Sequence, residues 1–219
     1  MTIGVTCNAS HPDFGACTVN KKIFIVGVSS LLLVGLAILI NLLFIQPASF
    51  RGTVYESPYP IAPNFRLTGA NGKPFILNAN KEKIILLFFG YTYCPDVCPT
   101  TLSEMKLTMD KLGSNAEKVQ VVFISVDPGR DTSVEMQKYV ERFNAAFTGL
   151  SGTEEELEPV WNDYGIFREV VPGTSATNYI INHTARVFLV DTHGNLRLSF
   201  GFQTPPEDIA HDIEIILNE

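Results

Sequence analysis

Apolar residues along this chain form one long block, several short unbroken runs, and stretches spaced at helical intervals. The block covers residues 23–45, where 23 consecutive positions carry no formal charge and 17 are Leu, Ile, Val or Phe. At about 1.5 Å per residue it reaches roughly 34 Å, enough to cross a bilayer core, and it predicts a single N-terminal transmembrane helix. A signal-peptide core is shorter, about 7–15 residues, and Gln46-Pro47-Ala48 is a poor cleavage site, which favours a retained anchor. Lys21 and Lys22 abut the span on its N-terminal side, whereas Arg51 and Arg66 lie further off on the other. That asymmetry puts the 1–22 tail in the cytoplasm and the rest in the periplasm or an equivalent space, where disulfides persist.

Residues 46–61 hold Pro47, Pro58 and Pro60 with little apolar periodicity, so they read as an extended linker, and the folded domain is expected over 62–219. Two apolar runs, 65–67 and 74–77, flank Asn71-Gly72, a turn pair that favours positive φ at both positions, and predict an opening β-hairpin. The runs at 83–90 and 119–126 do not alternate with polar residues, as in strands buried on both faces. Between them Leu102, Met105, Leu107, Met109 and Leu112 follow Pro99 at roughly helical spacing, and strand-helix-strand makes parallel neighbours. Thr132 with Glu135 and Thr153 with Glu156 have capping-box spacing and start helices to about Phe143 and Tyr164. Strands at 184–190 and 196–200 surround the turn Thr192-His193-Gly194-Asn195, and Thr204, Pro205 and Glu207 open a last helix to about Leu217. The expected class is α/β, a central sheet flanked by helices.

The formal net charge is −7 and no Lys/Arg block occurs, which argues against a nucleic-acid partner because phosphate neutralisation needs a basic face. The chemistry gathers at Cys94 and Cys98, at the junction from the first buried strand to a helix, where a sheet presents groups to a ligand. Pro99 suits a first helical turn and puts Cys98 at or near the N-cap. The helix end contributes about 0.3–1 kcal/mol, too little alone to ionise a thiol of pKa about 8.5 at neutral pH. A metal would deprotonate both sulfurs, and soft thiolates select Cu(I), zinc or iron-sulfur clusters; a plain disulfide is the competing state. Asp96, between the thiols, and Asp127, at the end of the second buried strand, are acids that could surround the same mouth, or serve as a solvated loop acid and a turn residue. His193 in its turn and His211 on the last helix read as surface residues. Cys7, His11 and Cys17 match no standard zinc spacing.

The segment Phe-Gly-Tyr-Thr-Tyr-Cys94-Pro-Asp-Val-Cys98-Pro resembles the signature of the Sco/SenC family. Phe123-Ile-Ser-Val-Asp127-Pro-Gly-Arg-Asp131-Thr, Leu150-Ser-Gly-Thr and Tyr179-Ile-Ile-Asn-His183-Thr resemble three further segments of it, in order, over 62–217. Gly129, where the family often has Glu, and Asn182, where Asp commonly precedes the histidine, depart from its pattern. The resemblance implies a thioredoxin-like fold on one membrane anchor, with Cu(I) or Cu(II) held by Cys94, Cys98 and His183. His183 would occupy the slot where thioredoxin-like domains place a cis-proline facing the active thiols. The implied activity is that of a copper metallochaperone serving the dinuclear copper site of cytochrome c oxidase subunit II, with an upstream copper donor or thiol reductant as further partner. That is a carrier rather than a turnover enzyme. Two other roles fit the same residues. One is a thiol-disulfide oxidoreductase acting on that site's cysteines before loading, although three residues separate these thiols where general redox motifs use two. The other is a redox or copper sensor.

Overall fold

The computed structural model describes residues 21–44, 49–173 and 178–219, and the chain forms two compact units, Met1–Ser49 and Phe50–Glu219. In the first, α1 (Lys21–Phe44) is a helix over nearly the whole apolar block. Its described side chains, at 22 and 24–39, are all exposed. Among the described residues no helix is long and apolar enough to cross a membrane, so the transmembrane helix expected over 23–45 is not met by them. Cys7, His11 and Cys17 lie outside the described residues.

The second unit contains, in chain order, β1 (Thr53–Val54), β2 (Arg66–Gly69), β3 (Pro74–Ile76), β4 (Ile84–Gly90), α2 (Val97–Leu112), β5 (Val119–Ser125), α3 (Ser133–Glu141), β6 (Thr148–Ser151), α4 (Glu154–Asp163), β7 (Arg168–Pro172), β8 (Tyr179–His183), β9 (Arg186–Val190), β10 (Leu196–Gly201) and α5 (Pro206–Leu217). Eight strands make one sheet in the order β1-β10-β9-β4-β5-β6-β2-β3, and β7 with β8 makes a separate two-stranded sheet. The centre is β4, every residue of which is buried. It runs parallel to β5 from Ile84↔Val119 to Gly90↔Ser125 and antiparallel to β9. Unbroken apolar sequence suits this place, since helices cover both faces. Phe88 stacks on Phe123 at 5.4 Å, and Trp161 of α4 donates from Nε1 to the Ser125 carbonyl at 3.0 Å. Both expected capping boxes are present, with Thr132 and Thr153 accepting from the backbone of Glu135 and Glu156.

Three details differ from the sequence expectation. The β2–β3 hairpin forms, but of its turn residues only Gly72 has positive φ, +73°. Asn71 instead accepts from Lys73 N through Oδ1 at 2.9 Å, and Gly69 N donates to the Lys73 carbonyl at 2.9 Å, which closes a wider loop than a two-residue turn. The expected linker 46–61 is partly structured, because Thr53 and Val54 pair with Ser199 and Leu198, and Ile61 bridges Asn195. The buried carboxylate of Asp212 holds the start of this stretch, accepting from Arg51 N at 3.0 Å and Gly52 N at 2.7 Å. Finally, β6 and the β7–β8 hairpin were not anticipated.

Candidate metal centre

Three elements deliver the site. The loop 91–96 leaves the C-terminal end of β4, α2 begins at Val97, and β8 ends on His183. Asp96, not Cys98, is the N-cap of α2, and its side chain caps no backbone N–H. Cys98 therefore lies inside the first turn, fully buried against Gly90. A Cβ at position 90 would come within 2.6 Å of Cys98 Sγ and of the Phe123 ring, so only glycine lets the thiol lie flat on the end of the strand. Cys94 is half-buried, and its sulfur accepts from Cys98 N at 3.4 Å.

His183 Nε2 is 3.7 Å from Cys98 Sγ, while Nδ1 lies 3.1 Å from the Thr184 carbonyl. A carbonyl only accepts, so Nδ1 carries the proton and the Nε2 lone pair faces the sulfurs. Edge contact with Tyr91 at 5.9 Å and a tilted contact with Phe88 at 6.5 Å confine the ring. The two Sγ atoms and one histidine nitrogen all lie within 4.8 Å of one another. A metal about 2.3 Å from thiolate sulfur and about 2.0 Å from imidazole nitrogen spans donors up to roughly 4.6 Å apart, so the donor set accepts one ion with adjustments of tenths of an ångström. Hard cations prefer oxygen, and two sulfurs with an imidazole are soft donors.

The thiols are electrostatically unequal. The hydrogen bond from Cys98, stronger than the opposing effect of burial, together with His183 and the backbone N–H groups of Cys98 and Asp96, holds Cys94 at about 4. Burial and the neighbouring Cys94 push Cys98 well above the ordinary thiol range. Without metal the pair is one thiolate and one thiol. The extra help for ionisation that the helix end could not supply comes from the second cysteine.

A cleft of about 250 Å³ opens onto Cys94 and His183, lined among others by Tyr91, Pro95, Asp96, Ile180 and Asn182, with Cys98 buried behind it. The structure thus brings Cys94, Cys98 and His183 together and leaves both candidate acids off the donors. Asp96 is exposed at the rim, where Oδ1 accepts from Thr100 Oγ1 at 3.4 Å. Asp127 is buried and faces Tyr179, whose hydroxyl donates to it at 2.7 Å, and Arg130 Nε at 2.5 Å. His193 is exposed in its turn, but His211 is half-buried, with Nδ1 3.0 Å from Asp212 Oδ1, so it is not a plain surface residue. Tyr91, Arg130 and Tyr179 escaped the sequence reading. The alternation of Tyr91 and Tyr93 just before the thiols was the available signal. A larger cleft of about 740 Å³ beside the β2–β3 hairpin contains no thiol or imidazole.

Similarity to known proteins runs through these same segments. The SCO1/SenC family model matches residues 54–218. A SCO2-like protein of Rickettsia conorii is 31% identical over 193 residues, 86% of this chain and 93% of its own. The structure of Bradyrhizobium japonicum ScoI with copper bound is similar with TM-score 0.65 and 40% identity, covering 71% of this chain and 99% of that one. Apo Sco1 from Thermus thermophilus is similar with TM-score 0.68 and 35% identity, covering 78% of this chain and 98% of that one.

Proposed function

Since the chain belongs to the SCO1/SenC family, we propose that it is a copper carrier that loads the dinuclear copper site of cytochrome c oxidase subunit II, with copper as its cargo. The observation that carries this reading is the convergence of Cys94, Cys98 and His183 donor atoms within 4.8 Å at an open cleft. Similarity to the copper-bound ScoI of Bradyrhizobium japonicum supports copper over other soft metals. Cys94, the accessible thiolate, meets the ion first. Cys98 then loses its proton and becomes the second sulfur donor, and neutral His183 supplies the nitrogen. Three donors leave a position for an incoming ligand of the recipient, so copper passes by exchange of ligands and the carrier needs no turnover chemistry.

Anaerobic Cu(I) titration of the reduced protein is expected to give one tight site, weakened at least tenfold in His183→Ala. Equal affinity in that variant removes His183 from the site. Incubation of the loaded protein with apo subunit II should produce the recipient's copper spectrum. No transfer under reducing conditions overturns the carrier role.

A second reading is favoured by one observation, the low pKa of Cys94 beside a second thiol. As a thiol-disulfide oxidoreductase, Cys94 thiolate attacks a disulfide sulfur of the recipient and expels one recipient thiolate. Cys98, after losing its proton, then attacks Cys94 Sγ, which releases the second recipient thiol and leaves Cys94–Cys98 oxidised. A copper-independent mixed disulfide between Cys98→Ser and subunit II would identify this activity. For location, the uncharged run over 23–45 supports a membrane tether with residues 50–219 outside the cytoplasm. Release of the full chain by alkaline carbonate, or protection of the domain from protease added outside the cytoplasmic membrane, counts against it.

A further inference from the structure

We propose that Asp127, Arg130 and Tyr179 form a latch that positions His183 over the two thiols. The idea rests on the copper-carrier reading for its purpose, though not for its geometry. Among the described residues, β7 and β8 pair only with each other and are not part of the eight-stranded sheet that positions Cys94 and Cys98. The third donor therefore rides on a hairpin that main-chain pairing does not fix to the rest of the site. Beyond the two-residue link Thr184-Ala185 to β9, side chains must do that.

Successive side chains of a strand alternate between faces, so Tyr179, Ile181 and His183 share one face of β8. All three face the body of the domain. Tyr179 donates its hydroxyl hydrogen to Asp127 Oδ1 at 2.7 Å, Ile181 is buried and donates its N–H to the Tyr91 hydroxyl at 3.1 Å, and His183 meets Cys98. Arg130 closes the far end. Its Nε contacts Asp127 Oδ2 at 2.5 Å, Nη1 donates to the Tyr179 carbonyl at 3.1 Å, and its guanidinium carbon lies 3.6 Å from the centre of the Tyr179 ring. The carboxylate thus accepts a phenol and a guanidinium at once, both partly shielded from water, where charge-assisted bonds are strongest.

The position of the latch is informative. Asp127 follows β5, and β5 lies beside β4, the strand that leads into the thiol loop. Tyr179 and His183 are four residues apart on one strand, about 13 Å at 3.3 Å per residue. One end of β8 is thus pinned next to the strand that carries the thiols, and the Tyr91–Ile181 bond pins the middle. The imidazole at the other end has little freedom left. An ordinary stabilising ion pair would raise the melting point without caring where His183 sits, and that difference can be measured.

Tyr179→Phe keeps the ring under Arg130 and removes only the hydroxyl. In the metal-free protein, amide hydrogen exchange at Ile181 and His183 is expected to quicken about tenfold, with β4 amides unchanged. In the reduced protein, Cu(I) affinity should fall roughly tenfold, but less than twofold when the same change is made in His183→Ala. Asp127→Asn, which leaves an acceptor for the hydroxyl and removes the charge Arg130 contacts, should move both readouts the same way. Unchanged exchange in β8, or equal quickening in β4, overturns the latch. Equal loss of affinity in both backgrounds shows that Tyr179 does not act through His183 and overturns the positioning role. If His183→Ala itself binds copper as tightly as the native protein, the carrier reading loses its third ligand, while the exchange comparison still decides whether the hairpin is latched.

Discussion

Burial separates two cysteines that look equivalent in sequence. Cys94 is held at about 4 by the Cys98 hydrogen bond, while burial lifts Cys98 well above the ordinary range. Iodoacetamide should therefore modify Cys94 of the reduced, metal-free protein at a rate that is flat through neutral pH and falls only as the pH drops toward about 4. Cys98 should stay unmodified until the protein unfolds. A midpoint in the ordinary thiol range, about 8.5, removes the Cys98 hydrogen bond as the cause. At this scale the sequence told part of the story. Cys94 and Cys98 are four residues apart and visible as a motif, but His183 is 85 residues from Cys98 and its partnership was legible only through family resemblance. Asp96, close to the thiols in sequence, lines the same cleft, but its side chain accepts from Thr100 and gives the site no donor atom.

The elements that were easiest to read are those whose pattern and burial agree. Strand β4 is apolar throughout and β5 is apolar except at Gln120 and Ser125, because both faces are covered, and the helices α3 and α4 announce themselves by capping boxes. The β7–β8 hairpin gave no such signal, since only Ile181 of its ten residues is buried, and a strand with one buried position has no period to detect. Packing at the end of β4 yields a prediction. Gly90→Ala puts a methyl group against Cys98 Sγ and Phe123; it should destabilise the domain by about 1–3 kcal/mol in denaturant titration and weaken metal binding by displacing the sulfur. Native-like values for both would mean that the helix start yields more easily than its packing implies.

The loop between β5 and α3 carries a second prediction. Burial, opposed by hydrogen bonds from Thr92 and Ser125, raises Asp131 from 3.8 to about 6. Across that window the folded protein binds more protons than the unfolded chain, so this carboxyl makes stability fall as pH rises from about 4 through about 6, levelling off about one pH unit higher. Relative to Asp131→Asn, the native protein should lose on the order of 2–3 kcal/mol between those limits. Parallel pH profiles of the two proteins in urea would remove Asp131 as the source.

For the whole molecule, the α/β class was legible because alternation of buried strands and amphipathic helices admits few arrangements, whereas its thioredoxin-like form was legible only through the family resemblance. What was not legible was the extent of the domain. Proline-rich composition marked 46–61 as linker, yet two residues of it complete the sheet. Composition reports how a segment behaves alone, and this one is ordered by partners elsewhere in the chain: Asp212, Ser199 and Leu198.

That short strand has a consequence for solubility. Without β1, the outer main-chain groups of β10 would be an open edge, the kind of template on which another chain can add a strand. The opposite edge is blunted differently, by Pro74, which has no N–H to offer. A fragment beginning at Pro58 should therefore self-associate at concentrations where one beginning at Phe50 stays monomeric, as light scattering or sedimentation can establish; equal behaviour of the two would mean that β10 is protected by something else. The stretch that looked like a tether thus acts as a selvedge, finishing the sheet so that it does not knit to its neighbours.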